Sequence, residues 1–220
     1  MTTIGKVVLG MMGRLHPRPA IVDATPVIEL PPAIRSGGMP LMEALAARRS
    51  LRSFKPDPLP LEVLSSLLWA AFGVNRADGG RTAPSASNAQ EVELYVAMAT
   101  GAYRYDPARH QLQLASSDDI RRVTGYQDFV DDAPLDLVYV ADFTRMRMVP
   151  AAQRESYAAV AAGAITQNVY LYAAANHLAT VIRAWIDREA IAAALGLPHD
   201  QQVLLSQTVG YPGPEAHTPA

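Results

Sequence analysis

The chain has 220 residues, half of them hydrophobic and 18% charged, which is the balance of a folded protein with a sizeable core. A formal net charge of -2 argues against a nucleic-acid binder, which would carry a clear basic excess. Cysteine is absent, which excludes disulfides, thiolate metal sites and a cysteine nucleophile.

Residues 1–40 read as an extended N-terminal arm, and 41–220 as one domain. The apolar stretch from Lys6 to Met12 falls short of the roughly 20 residues that span a bilayer. Arg14, His16, Pro17 and Arg18 after it make a poor signal-peptide cleavage region, so a cytoplasmic protein without membrane contact is expected. Pro26, Pro31, Pro32 and the pair Gly37-Gly38 keep the arm extended.

Leu41, Met42 and Leu45 share one face of a short helix that ends at Arg48-Arg49. Leu61, Leu64, Leu67, Leu68, Ala71 and Phe72 repeat at helical spacing, and Gly73 stops that helix. Residues 74–90 form a loop bent at Asp78-Gly79-Gly80. Val92, Leu94, Val96 and Met98 alternate as in a strand, and 103–105 with 111–114 flank Asp106-Pro107 as a hairpin. A helix is expected over 118–131, a buried strand over 135–141 and the longest helix over about 153–176. Because Tyr157, Val160, Ile165 and Leu171 are accompanied by Ala and Gly on the other faces, burial nearly all round is expected for that helix. Strand 178–186, helix 187–196 and strand 203–210 complete an order without regular βα alternation, which points to α+β.

Two strings carry chemistry. Arg48-Arg49-Ser50-Leu51-Arg52 sets three guanidiniums and a hydroxyl within five residues, and the planar guanidinium fork suits phosphate. Arg81–Gln90 is a turn-prone run of hydroxyl and amide side chains. Each has a plainer reading: cations favour helix C-termini, and Ser, Asn and Pro populate any loop. No nucleotide-binding glycine fingerprint and no G-x-S-x-G elbow occurs. His16, His110, His177, His199 and His217 are scattered without metal-ligand spacing. Met146 and Met148 either line a pocket or sit in a loop.

Taken in order, RRSLRSF at 48–54, LLWAAFG at 67–73, RTAPSASNAQEVELYV at 81–96, GAYRYD at 101–106, DDAPLDLVYVAD at 131–142, AGAITQNVYLYAAA at 162–175 and QTVGYP at 207–212 resemble the nitroreductase family of flavoproteins. The resemblance is to its branch related to the thiazole and oxazole oxidases of peptide natural-product pathways. It implies an α+β fold with a central, mostly antiparallel sheet flanked by helices, and an intertwined homodimer holding FMN at the subunit interface. It also implies reduction of a small acceptor by NAD(P)H. The reverse use as an oxidase or dehydrogenase of a peptide or small metabolite, and a non-catalytic flavin-binding protein, are the alternatives.

By position, the resemblance places Arg48, Arg49, Ser50 and Arg52 on the FMN of their own subunit, with Arg48 and Ser50 towards the phosphate and Arg52 at the N1/O2 ring edge. Pro84, Ser85, Ser87 and Asn88 reach the FMN of the partner. The stretch Ile182, Arg183, Ala184, Trp185 presents a backbone N–H to flavin N5, for which Ala184 is the single best choice. No side-chain acid or base is required. One departure stands out: Gly213, Pro214 and Glu215 follow the last strand where many members carry a basic pair.

Overall fold

Alternation in the central strands gives one antiparallel sheet a core on each face. The computed structural model describes residues 1–214, so Glu215 and His217 lie outside the described residues. Strands β1 (Arg18–Pro19) and β2 (Val27–Glu29) precede helices α2 (Leu41–Ala47) and α3 (Leu61–Phe72), and helix α1 (Thr3–Met11) precedes them all. Then come β3 (Val92–Met98), β4 (Gly101–Asp106), β5 (Gln111–Ser116), β6 (Asp118–Asp119) and β7 (Leu135–Asp142). Helix α4 (Ala151–Ala175), strand β8 (Ala179–Arg183), helix α5 (Arg188–Leu195) and strand β9 (Gln201–Gly210) complete the order. The main sheet runs β2-β5-β4-β3-β7-β9-β8, and its neighbours pair antiparallel throughout. This is the expected α+β architecture.

In β7, Leu135, Leu137, Tyr139 and Ala141 face one core with α3 and α4, while Val138 and Val140 face a second with α5 and Leu15. A strand buried on both faces reads as a continuous apolar run, as 135–141 does apart from Asp136. Helix α4 buries Ala158, Ala161, Ala162, Ile165, Val169 and Ala173, but only on one side. Tyr157 and Val160 stay open to solvent in the single chain, where burial nearly all round was expected.

The N-terminal arm departs from the extended reading. Thr2 Oγ1 caps α1 by accepting the Gly5 N–H at 3.3 Å. Two glycines and adjacent valines give this stretch poor helix propensity, and its pattern is inverted. Lys6 points inward and is fully buried, while Ile4, Val8 and Met11 point out. Lys6 Nζ meets Asp131 Oδ1 at 2.5 Å and the Gln127 carbonyl at 3.2 Å. Burial lowers the Lys6 pKa, and Asp131 opposes that shift. Gly10 is needed for the fit, because a Cβ there would stand 2.7 Å from Tyr126 Cε1. Further along the arm, β2 joins the sheet against β5 and Leu30 enters the core.

The helix expected over 118–131 is instead β6 followed by two short 3-10 turns, Arg121–Val123 and Asp128–Asp131. Local side chains compete for the backbone there. Asp119 Oδ1 accepts the Arg121 N–H at 3.1 Å, and Thr124 donates its hydroxyl to the Arg121 carbonyl at 2.9 Å. A Cβ at Gly125 would run into the Arg183 guanidinium. The strand expected over 178–186 ends at Arg183. Met146 is buried in the core and Met148 is 90% exposed, so the two do not line a common pocket. No helix among the described residues is long and apolar enough to cross a membrane.

Candidate functional site

Helix α2 stops at Ala47, and residues 48–52 leave it as an extended strap, Arg48 having φ -59° and ψ 126°. Extended backbone sends alternate side chains to opposite sides. Arg49 and Leu51 line a cleft with Tyr170, His177, Thr180 and Pro212. Arg48 and Ser50 also meet Tyr170 on α4, at its ring and its hydroxyl, and the Arg48 guanidinium lies 5.2 Å from the ring centre. Ser50 Oγ stands 2.8 Å from Tyr170 Oη. Arg52 borders a separate hollow with Ser53, Phe54, Asp128 and Phe129.

The strap is anchored to the free edge of the sheet. Leu51 N–H donates to the Thr180 carbonyl at 3.0 Å, and Lys55 N–H to the Tyr211 carbonyl at 2.9 Å. Ile182 N–H on the same edge donates to Tyr170 Oη at 3.0 Å. Residues 180 and 182 therefore turn their peptide groups away from β9, and Ala184 lies in the bend that directly follows the strand. Leu51 covers the edge at 180 and Tyr170 covers it at 182. At 184 the residue is exposed, and no hydrogen bond between described residues uses the Ala184 N–H.

Arg183 points the other way. Its guanidinium meets Asp136 Oδ1 at 2.6 Å, with both side chains nearly inaccessible. Burial lowers the Arg183 pKa and Asp136 opposes the shift. Of the sequence-derived site, Arg183 thus serves the interior, and the residue that faces outward next to it is Ala184. Trp185 is exposed and leans on Tyr126, ring centres 5.3 Å apart.

Some guanidiniums are committed to carboxylates and others are not. Arg18, Arg104, Arg121, Arg145 and Arg183 are each tied to a carboxylate. Arg48, Arg49 and Arg52, like several other arginines, take part in none of the ion pairs between described residues, and they differ from those others in lying within five residues of one another. Three exposed or half-exposed cations on one strap, left without carboxylate partners, form a site suited to an external anion.

The second string is a tight exposed loop built on a 3-10 turn, Ala86–Asn88. Gln90 N–H donates to Ser85 Oγ at 2.9 Å, and the Gln90 side chain joins Arg81, Gly79 and Asn88. Ser87, Asn88 and Gln90 have φ of 52°, 53° and 50°. Side-chain-bearing residues held in the left-handed region store strain that collects at binding sites. Pro84, Ser87 and Asn88 are exposed, and Ser85 half-buried. No hydrogen bond between described residues joins this loop to the strap.

Sequence reasoning missed Tyr170, the residue on which Arg48, Ser50 and Ile182 converge. The signal was a tyrosine within an apolar helix, since a buried phenol needs a hydrogen-bond partner. Among the histidines, His110 is structural: Nε2 lies 2.7 Å from Ser65 Oγ and Nδ1 2.9 Å from Tyr105 Oη.

The family model for nitroreductases matches residues 45–211, from the end of α2 to the close of the last strand. The chain belongs to the nitroreductase family. A candidate nitroreductase of Methanocaldococcus jannaschii is 32% identical over 160 residues, covering 68% of this chain and 81% of the relative. The crystal structure of a candidate nitroreductase from Ralstonia eutropha is 50% identical, with a TM-score of 0.87 over 90% of this chain and 95% of that one. A chain of the Escherichia coli microcin synthetase McbBCD complex shares the fold, at 18% identity and a TM-score of 0.67 over 93% of this chain and 91% of that one. Family membership makes this nitroreductase-family protein an oxidoreductase.

Proposed function

We propose that the protein binds FMN at the interface of a homodimer and passes a hydride from NAD(P)H to a small aromatic, quinone or enone-type acceptor. The observation that carries this reading is an Ala184 N–H without a partner among the described residues, just past the end of the sheet edge to which a strap of three clustered, carboxylate-free cations is anchored. The donor set fits the cofactor: guanidiniums and a hydroxyl for a phosphate, a further cation for a ring edge, and a backbone N–H for a ring nitrogen. When bound, FMN supplies hydride acceptance and release at N5.

On this reading the chain's own groups position and tune. Arg48 and Ser50 hold the phosphate end, and Arg52 stabilises negative charge at the N1/O2 edge. Arg49 leaves the strap on the opposite side and contributes charge to the site at longer range. The Ala184 N–H orients the ring, with Arg183 and Trp185 fixing the backbone on either side of it. Pro84, Ser85, Ser87 and Asn88 reach the FMN of the second subunit, which gives a role to a strained, exposed loop that makes no hydrogen bond to the strap of its own chain. The dimer also accounts for the open apolar faces of α2 and α4, where Met42 and Val160 are each 74% exposed. Burying apolar surface at about 25 cal/mol per Å² favours covering such faces with a second copy.

The purified protein is expected to be yellow and to release FMN rather than FAD on heating. It should sediment at about twice the 23.7 kDa chain mass at micromolar concentration. A preparation that stays colourless in excess FMN, or a clean monomer that holds FMN, defeats the proposal. Gly213, Pro214 and Glu215 supply no basic pair after the last strand, which motivates the second reading, a weakly loaded or non-catalytic flavin protein. The activity assay separates the two.

NAD(P)H-dependent reduction of a quinone or nitrofuran is expected to follow ping-pong kinetics. Residues 143–150 are short, and Arg145 ties them down to Asp142 at 2.9 Å and to the Gln90 carbonyl at 3.1 Å. That leaves little chain for a second pocket, so donor and acceptor occupy one place in turn. Parallel double-reciprocal lines at several acceptor concentrations are the expected result, and intersecting lines contradict it. Flavin binding without turnover of any acceptor favours oxidation of a peptide or small metabolite.

A further inference from the structure

We infer that Tyr170 is a positioning residue that aims the Ser50 hydroxyl at the cofactor phosphate and ties it to the edge of β8, an assignment that rests on the FMN reading above. A phenol carries one proton and two acceptor lone pairs. One lone pair of Tyr170 Oη is used by the Ile182 N–H at 3.0 Å. Its remaining close polar neighbour is Ser50 Oγ at 2.8 Å. Between these two hydroxyls either atom can donate, and an anion decides which one does. With a phosphate beside Ser50, the serine proton goes to the phosphate oxygen, and the tyrosine proton turns to Ser50 Oγ.

The result is a chain of donors running one way: Ile182 N–H to Tyr170 Oη, Tyr170 O–H to Ser50 Oγ, Ser50 O–H to phosphate. Hydrogen bonds aligned in this manner polarise one another, more so out of bulk water. Tyr170 is 7% exposed and Ser50 is exposed, so the relay runs from the protein interior out to its surface. The same ring carries the Arg48 guanidinium at 5.2 Å, within cation–π range. One side chain therefore holds both phosphate-end donors. Through Ile182 it also holds the edge two residues before the free Ala184 N–H.

A tyrosine that only filled space would act differently. Its loss would lower stability and weaken every flavin alike, whereas a residue acting through Ser50 on a phosphate distinguishes FMN from riboflavin, which has none. Tyr170→Phe keeps the ring and its stack with Arg48 and removes the hydroxyl. Equilibrium dialysis of wild type, Tyr170→Phe, Ser50→Ala and the double variant against FMN and against riboflavin tests the assignment. Each single substitution is expected to raise the FMN dissociation constant about tenfold, with riboflavin changed by less than about twofold. Because both act on one donor chain, the double variant should lose little beyond the worse single. Equal losses for the two flavins, or FMN losses that multiply in the double variant, overturn the role of Tyr170. A Tyr170→Phe protein that binds FMN as wild type does so too, and leaves the FMN reading intact. Wild type that takes up neither flavin overturns both.

Discussion

Arg52→Ala is expected to slow the bleaching of bound flavin by NADH about a hundredfold, the effect of losing one preorganised charge partner, roughly 3 kcal/mol. Arg48→Ala is expected to leave that rate much closer to wild type and to raise the FMN dissociation constant instead. The difference follows from where the two guanidiniums lie on one strap. Arg48 is stacked on Tyr170 beside Ser50, among the donors assigned to the phosphate. Arg52 is exposed, borders the hollow with Phe54 and Phe129, and is paired with no carboxylate among the described residues. Its removal breaks no internal bridge, so Arg52→Ala should melt near wild type. Stopped-flow reduction of FMN-saturated variants reads the ranking directly. Equal rates for Arg52→Ala and wild type would remove Arg52 from the ring edge.

The ranking also bears on the plainer explanation of the Arg-Arg pair, that cations gather at a helix C-terminus. Helix α2 has no basic residue in its last turn, Arg48 being its C-cap and Arg49 lying beyond it. The dipole effect fades within a turn, so it does not account for Arg52. On the proposed reading, one bound anion accounts for the clustering of all three.

Most of the sheet was legible in the sequence because it is organised by alternation. Strand β3 and hairpin β4–β5 follow from period two and from Asp106-Pro107 at the turn, and β7 follows from its continuous apolar run. Helices α3, α4 and α5 follow from helical spacing, with Gly73 ending α3; Gly196, expected inside the last helix, instead stops it in the left-handed conformation. Helix α1 was not legible because its inward residue is a lysine. Nothing within residues 1–40 announces that Asp131, far along the chain, will neutralise Lys6. The segment 118–131 failed for a related reason. Its Asp119 and Thr124 bond the local backbone, and its Arg121 guanidinium reaches Asp119 and the Ala133 carbonyl, so polar contacts override helical periodicity. In the site, the strap and the 84–88 loop were legible as strings. The division of labour between Arg183 and Ala184 was not, since it depends on which edge of β8 is free.

Asp136→Ala is expected to destabilise the protein by about 3–5 kcal/mol, the usual cost of leaving one member of a buried ion pair behind. For a chain of this size that lowers the melting temperature by roughly 10 °C. Arg183 is 3% exposed and Asp136 is fully buried, so neither charge reaches water when its partner goes. Thr208 donates its hydroxyl to the same carboxylate oxygen and would lose its acceptor too. Yet the pair is not fully satisfied: Asp136 Oδ2 and Arg183 Nε and Nη1 have no protein partner. A half-satisfied buried pair contributes less to stability than its short contact suggests. Replacing both members, Asp136→Leu with Arg183→Met, should therefore recover most of the loss. What the double variant should not recover is the site. Arg183 directly precedes Ala184, and its anchored guanidinium, also 5.8 Å from the Phe129 ring centre, fixes the last turn of backbone on β8. Thermal melting of the three proteins checks the energetic claim, and FMN retention in the double variant checks the positional one. A double variant as unstable as Asp136→Ala would mean that shape, not charge, sets the cost. Wild-type FMN retention in a stable double variant would show that the Ala184 backbone holds its place without the ion pair.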